Sequence, residues 1–498
     1  MTTAQALAPM RTTRAAMPDW MPALLCIALV ILATRAMWFG DPVADYDEQL
    51  YSFIGWRMTQ GAVPFVDLWD RKPYGLFALF ALAHAIGGPG PLAYQIMGCL
   101  FSAVGALFVY AMARNQLDRF GACMAAMLYL LIIAAYGSYA GQSEAFHVPL
   151  MTIMAWLVID TRRGDALRRA MLAMAVGGIA LQIKYTVLPQ CLFFGVYALW
   201  GQWRKGLPLP RLAAAALGFA VLGLAPTVLV AMYYAAIGHW DAFLFANFIS
   251  FFERAPASVG RFYKDQMAPL APLALTIFGG IYAAIRFNRP RNIPAYWFYF
   301  GWMIAAETSV LLPATVYMYY YGALAPVASL LAIPLFDRQG PFQARYAIVT
   351  LLCWMVALNP ISRMHETLEH RKTAAALTAA IAPYVGPDGN CLYAFDGPTA
   401  LYRLTNSCVP TRFVYPDHLN NVLEARALGI DQPGEVARIM ATRPGAVVTS
   451  DNPIAPQNPL SLQAVKEALQ AHYVPTAAAD LSQRRLRVWI RADLAPRR

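Results

Sequence analysis

Two clusters of ionisable residues stand in one polar run between membrane-length apolar segments. They are Asp45-Tyr46-Asp47-Glu48 and Asp67-Leu68-Trp69-Asp70-Arg71-Lys72-Pro73. Carboxylates at one end can take a proton from an attacking group. Cations at the other can meet negative charge growing on a leaving group. Structural duties compete with this chemistry. Asp45 followed three residues later by Glu48 is close to a capping box, in which side chains satisfy the free amides of a helix start. That accounts for Asp45 and Glu48 and leaves Asp47 unused. Arg71 and Lys72 beside Asp70 equally suit a solvated ion pair that contributes little.

Further polar residues cluster at the ends of apolar segments: Gln142, Glu144 and His147, then Lys184, then Tyr317, Tyr319, Tyr320 and Tyr321, with Glu307 inside a segment. An unpaired ionisable group in lipid costs at least ~2.5 kcal/mol, so each is a functional candidate. Tyrosines also serve as interfacial belts, a lysine can snorkel to the surface, and His147 reads as a packed histidine. Glu144 has no cation adjacent in sequence. His239, His365, His370 and His418 show no metal spacing, and no CxxC pair is present, which disfavours structural zinc. Asp45, Asp47 and Glu144 are the oxygen ligands a divalent cation would use, but no metal or other cofactor is expected.

The elements that must position these groups follow from composition. The 498 residues are 59% hydrophobic and 13% charged, against about 25% charged in soluble domains. An α-helical polytopic membrane protein is expected. The net charge of +11 falls mostly in short loops between apolar segments, the positive-inside pattern, so nucleic acid is not an expected partner. Arg11 and Arg14 precede the first apolar segment, at roughly 21–38, and put the N-terminus in the cytoplasm; nothing before it reads as a cleavable signal. Later segments run at roughly 92–113, to Tyr136, to Asp160, at 170–183, to Trp203, at 212–237, to Arg286, through Glu307, to Asp337 and at 346–358. The spacing predicts about eleven transmembrane helices.

The first outer loop, 39–91, is expected to carry a short amphipathic helix over 49–60, where Leu50, Phe53, Ile54 and Arg57 recur at helical spacing. An interfacial helix is expected over 74–86. Residues 1–358 form the membrane domain, and 359–498 a small extracytoplasmic α/β domain. Its expected strands are 391–395, 446–449 and 487–490; its expected helices are 420–428, 433–441 and 460–470. Cys391 and Cys408 there are either a disulfide, which that compartment permits, or two buried thiols. The other five cysteines read as packing residues.

Several short motifs resemble GT-C type glycosyltransferases, in particular the superfamily of protein O-mannosyltransferases and lipid A aminoarabinose transferases. Asp47-Glu48-x-x-Tyr51, Gly61-Ala62-Val63-Pro64-Phe65-Val66-Asp67 and Lys72-Pro73 resemble that family's first outer loop. Gly141-Gln142-Ser143-Glu144-Ala145-Phe146 is similar to its second acidic turn, and Gln182-Ile183-Lys184-Tyr185-Thr186 to its lysine-containing turn. Met318-Tyr319-Tyr320-Tyr321 through Leu324-Ala325-Pro326 resembles its late aromatic stretch. Leu392-Tyr393-Ala394-Phe395, Leu401-Tyr402 and Thr411-Arg412-Phe413 resemble the extracytoplasmic cap of bacterial members. Tyr74 departs from the pattern, because many members carry a second proline or a small residue after Lys-Pro.

The resemblance implies transfer of a sugar from a polyprenyl-phosphate carrier to an acceptor hydroxyl on a glycan, lipid or protein. The transfer would occur at the outer face of the bacterial cytoplasmic membrane, with inversion. It implies Asp47 as base with Glu48 beside it, and Lys72 at the carrier phosphate. Arg71, Lys184 and Arg261 are further candidates for that phosphate. Asp45, Tyr51, Gln142, Glu144, Tyr319 and Tyr320 are candidates for substrate contacts. Three other classes compete. A transporter or flippase would place its charges at mid-membrane, where only Glu307 lies. An acyl- or phosphoryl-transferring enzyme would need a serine–histidine arrangement that is not evident. A scaffold would tolerate Asp47→Asn.

Overall fold

Helices occupy the apolar segments, because backbone amides in hydrocarbon must find partners within their own segment. The structure is a computed structural model and describes residues 20–256, 259–313, 315–341 and 344–495, without the side chains of 259–266. In chain order come α1 (Met21–Arg35), α2 (Tyr46–Met58), α3 (Tyr74–Gly87), α4 (Pro91–Arg114), α5 (Arg119–Ala135) and α6 (Ser143–Val158). Then follow α7 (Ala166–Leu181), α8 (Leu188–Arg204), α9 (Leu209–Ala236), and the short α10 (Trp240–Leu244) and α11 (Ser250–Glu253). The long α12 (Val259–Arg286) and α13 (Ile293–Leu311) precede a tight turn at Met318–Leu324, followed by α14 (Ala325–Leu331), α15 (Ile333–Phe336) and α16 (Arg345–Leu358).

Among the described residues, five helical runs are long and apolar enough to cross a membrane: Met21–Trp38, Pro91–Arg114, Leu209–Ala236, Met267–Arg286 and Arg345–Tyr384. Leu217, Val221, Leu224 and Val228 of α9 are exposed, as suits a helix facing lipid. Helices α5 and α6 are shorter and sit inside the bundle, with Leu128 to Ile133 and Phe146 to Pro149 buried on every side.

Asn359 breaks the last run. It takes a left-handed conformation (φ 47°), which asparagine tolerates, and Pro360 opens α17 (Pro360–Ile381) immediately after. Beyond it lies a four-stranded sheet of β1 (Leu392–Ala394), β2 (Ala446–Ser450), β3 (Tyr473–Leu481) and β4 (Arg484–Arg491), in the order β1-β2-β4-β3. Strands β1 and β2 are parallel, and the remaining pairs are antiparallel. Helices α18 (Ala400–Leu404), α19 (Pro416–Asn420), α20 (Gln432–Ala441) and α21 (Pro459–His472) complete the domain. Cys391 and Cys408 are disulfide-bonded. The expected helix at 420–428 is instead α19 and a single turn at Val422–Glu424. Strand β3 was not anticipated, since Pro475 interrupts its pattern; the proline sits at a register shift on the sheet edge, where strands accept it.

The outer-loop helix differs most from expectation. It begins at Tyr46, and all eight residues from Glu48 to Gly55 are buried, so it has no solvent face along that stretch. Below it lies α3: a Cβ on Gly55 would come within 2.6 Å of Phe80. Above it lies the C-terminal domain, where the Ala400 amide donates to Gln49 Oε1 at 3.2 Å and Tyr402 packs on Phe53. Arg484 of β4 donates to both Asp396 and the Tyr46 hydroxyl. Loop and cap therefore enclose α2 between them.

Candidate active site

Helix α2 starts where the site starts. Asp45 is its N-cap and accepts from the amides of Asp47 (3.0 Å) and Glu48 (3.3 Å), satisfying two donors the first turn leaves free. The reciprocal half of the capping box is absent. Glu48 turns inward instead and accepts from the Gly141 amide at 2.6 Å and the Tyr94 hydroxyl at 3.2 Å. Gly141 permits this approach because a Cβ there would stand 2.7 Å from the Tyr94 ring. Burial, reinforced by Asp45, drives the Glu48 carboxyl well above the usual range. Glu48 thus ties α2 to the turn before α6.

Asp47 has no such duty. Its Oδ2 accepts from Tyr319 at 2.9 Å, Tyr51 at 3.2 Å and the Gln142 amide at 3.4 Å. Its Oδ1 accepts from Tyr415 at 2.9 Å. Four chain segments therefore converge on one half-buried carboxylate. Gln142 also donates to Asp45 at 3.3 Å, while its own oxygen caps α6 through the Ser143 amide. Burial and the neighbouring Asp47 push Asp45 up to about 7.

The expected cations differ in what they already hold. Lys72 makes no hydrogen bond or ion pair with any described residue; its ammonium lies 5.8 Å from the Tyr51 ring. Burial opposes its charge, but Tyr320, Asp47, Asp70 and Glu144 outweigh burial and raise its pKa. Arg71 is held by Glu424 of the cap. Arg254 reaches the same carboxylate at 2.7 Å and donates to Tyr317 at 2.7 Å. Burial would raise Glu424, yet Arg71 and then Arg254 bring it down to about 2.

Lys184 is ion-paired with Glu144, which has no exposed surface, and its ammonium lies 3.7 Å from the Tyr320 ring centre. The turn after α7 thus supplies the counter-charge that Glu144 lacks in sequence. The side chain of Arg261 lies outside the described residues. Among the described residues no three carboxyl, imidazole or thiol groups gather as a metal site. Of the expected oxygen ligands, Glu144 is turned to Lys184 and Asp45 caps α2. Glu307 is half-buried on α13 and is not joined to the cluster by any hydrogen bond.

Sequence reasoning missed the contribution of the cap. Tyr415, Glu424, Asp417 and His418 overhang the loop, with His418 3.9 Å from Asp70. The Trp69 amide donates to the Arg412 carbonyl at 2.9 Å, and the Trp69 ring lies against Phe413 and His418. The nearest signal was the Thr411-Arg412-Phe413 motif, which ends two residues before Tyr415. Arg254 stood among charges of the segment before α12 with nothing to single it out.

Comparisons with known proteins bear on the fold. Residues 71–230 match the family model described as dolichyl-phosphate-mannose-protein mannosyltransferase. That stretch includes Lys72, Gln142, Glu144 and Lys184 but begins after Asp47. Across nearly all of its length the chain is similar in fold to ArnT from Cupriavidus metallidurans. Against the crystal structure of ArnT bound to undecaprenyl phosphate the TM-score is 0.65 at 17% identity, covering 97% of this chain and 100% of that one. Against the apo structure it is 0.64 at 16% identity, covering 96% and 99%. No curated protein matches the sequence. The likeness is one of fold: a mostly helical chain with several apolar helices and a small C-terminal sheet region, as in ArnT.

Proposed function

We propose that this chain is a membrane glycosyltransferase that moves a sugar from a polyprenyl-phosphate carrier to an acceptor hydroxyl. The observation that carries the reading is that Asp47 and Lys72, which pairs with no described residue, both lie beside Tyr51, with Tyr415 of the cap also on Asp47. The presence of undecaprenyl phosphate in one ArnT structure supports a lipid carrier. In the proposed step the acceptor oxygen bonds to the anomeric carbon as the bond from that carbon to the phosphate oxygen breaks. The acceptor proton passes to Asp47. The charge on the departing polyprenyl phosphate meets Lys72 in a setting of low dielectric. A single displacement inverts the anomeric configuration, and it needs one base and one cation, so no cofactor enters the proposal. The basic inner loops support an active site on the outer face of the bacterial cytoplasmic membrane, with the cap extracytoplasmic. Glycan, lipid and protein hydroxyls are the acceptor classes this chemistry serves.

The test uses the full-length protein in membranes with radiolabelled mannosyl, arabinosyl, aminoarabinosyl and glucosyl polyprenyl phosphates. Loss of label from one carrier, with an inverted linkage in the product, is expected. Retention of label on every carrier in the presence of acceptor-containing membranes overturns the reading and leaves transport or scaffolding.

A further inference from the structure

We infer that Tyr415 is a positioning residue through which the cap aims the base, and that Oδ1 of Asp47 is the oxygen that receives the acceptor proton. The inference rests on the reading of Asp47 as base. A carboxylate oxygen offers about two acceptor directions. Oδ2 already receives three donors, from Tyr51, Tyr319 and Gln142. Oδ1 receives one among the described residues, the Tyr415 hydroxyl at 2.9 Å. The direction left open on Asp47 is therefore on Oδ1, next to the Tyr415 bond. An acceptor hydroxyl within hydrogen-bond reach of the base must occupy that direction and lie against the Tyr415 phenol.

The location of Tyr415 gives the contact its meaning. Tyr51, Tyr319 and Gln142 all belong to the membrane domain, and Tyr415 alone comes from the cap. Its backbone is extended and leads directly into α19, so side-chain rotation at this residue is tied to the position of the whole cap edge. That edge is fastened to the outer loop by the Trp69–Arg412 backbone bond and by Arg71 on Glu424. It is fastened on the other side by the Ala255 amide on the Leu423 carbonyl at 3.1 Å and the Ser250 hydroxyl on the Ala427 carbonyl at 2.6 Å. The base is therefore fully oriented only when the cap is docked, and the surface that meets the acceptor is the cap segment 411–421. Burial and the Asp47 carboxylate raise the Tyr415 hydroxyl well above its ordinary value, which keeps it a donor.

Purified full-length wild type, Tyr415→Phe and Asp47→Asn should be compared with the undecaprenyl-phosphate sugar that wild type consumes from the panel above. Tyr415→Phe keeps the ring and removes only the donor. The expected result is a kcat about tenfold lower, equivalent to ~1.4 kcal/mol, with carrier KM and thermal midpoint unchanged. A pin that merely holds the cap would instead lower the midpoint and raise the carrier KM together, and that result overturns the inference. So does a Tyr415→Phe kcat equal to wild type while Asp47→Asn is inactive; this outcome removes the inference alone. Full activity in Asp47→Asn, or none in wild type on any carrier, removes the parent reading and this inference with it.

Discussion

Removing the Lys184 ammonium should destabilise the protein by an amount set by the carboxylate left behind. Glu144 has no exposed surface, and without Lys184 its charge keeps one donor among the described residues, the Ser143 hydroxyl at 3.0 Å. Breaking a buried pair by deleting one partner costs ~3–5 kcal/mol, because the surviving charge stays buried without compensation. The contact of Lys184 with the Tyr320 ring at 3.7 Å adds a desolvated cation–π term of about 2 kcal/mol that overlaps with the first. Lys184→Met alone should therefore lose at least ~3 kcal/mol. Glu144→Gln alone leaves a buried ammonium and should lose a similar amount. The double variant should lose much less than the sum of the two. Denaturant or thermal unfolding in one detergent gives all four corners of this cycle, and a coupling of roughly 2 kcal/mol or more is expected. Singles that add to within ~0.5 kcal/mol, with Lys184→Met weakening only the binding of undecaprenyl phosphate, would refute the reasoning. That result would return Lys184 to the carrier phosphate as a direct ligand.

Two further outcomes follow from the same geometry. Lys72→Met removes a cation that bonds no described residue, so the unliganded protein should keep its thermal midpoint. Its affinity for undecaprenyl phosphate should fall about tenfold or more, a hydrogen bond to a charged group being worth ~1.5–3 kcal/mol; isothermal or fluorescence titration reads this, and unchanged affinity with a lower midpoint counts against it. Asp45 is pushed up to about 7 in the folded protein, so the folded state holds a proton that the unfolded chain has already released. Its contribution to stability is therefore greatest at low pH and is lost as pH rises from about 4 through 7. Asn caps as well as Asp, so Asp45→Asn should raise the thermal midpoint more at pH 8 than at pH 5. An equal change at both pH values would sink that assignment.

What could be read from the sequence was local. Apolar segments declare themselves by hydropathy and loops by basic residues, so α1, α4, α9 and α16 lie close to where they were expected. Asp47 stood out because the capping duty of Asp45 did not need it, and the N-cap itself is present. The misreadings arose where a partner lies far along the chain. Glu48 looked like half of a capping box, but its donors are Tyr94 and Gly141. Glu144 looked uncompensated, but its partner Lys184 is forty residues away in the turn after α7. Helix α2 looked amphipathic, but the cap, more than three hundred residues later, covers the second face. Tyr415 carried no local signal at all, since a tyrosine before a proline in a polar domain has many ordinary uses. The proposed base is legible from its neighbours, whereas the groups that hydrogen-bond to it are assembled by the fold.

The claim that Asp47 is the base of a carrier-dependent sugar transfer is tested most directly by one comparison. Membranes containing wild type or Asp47→Asn are given each radiolabelled polyprenyl-phosphate sugar, and label on the carrier is followed with time. Loss of label with wild type, and a rate at least about a hundredfold lower with Asp47→Asn, is the predicted result, since a positioned base contributes roughly 10²–10⁴-fold. Equal loss of label with both proteins would contradict it.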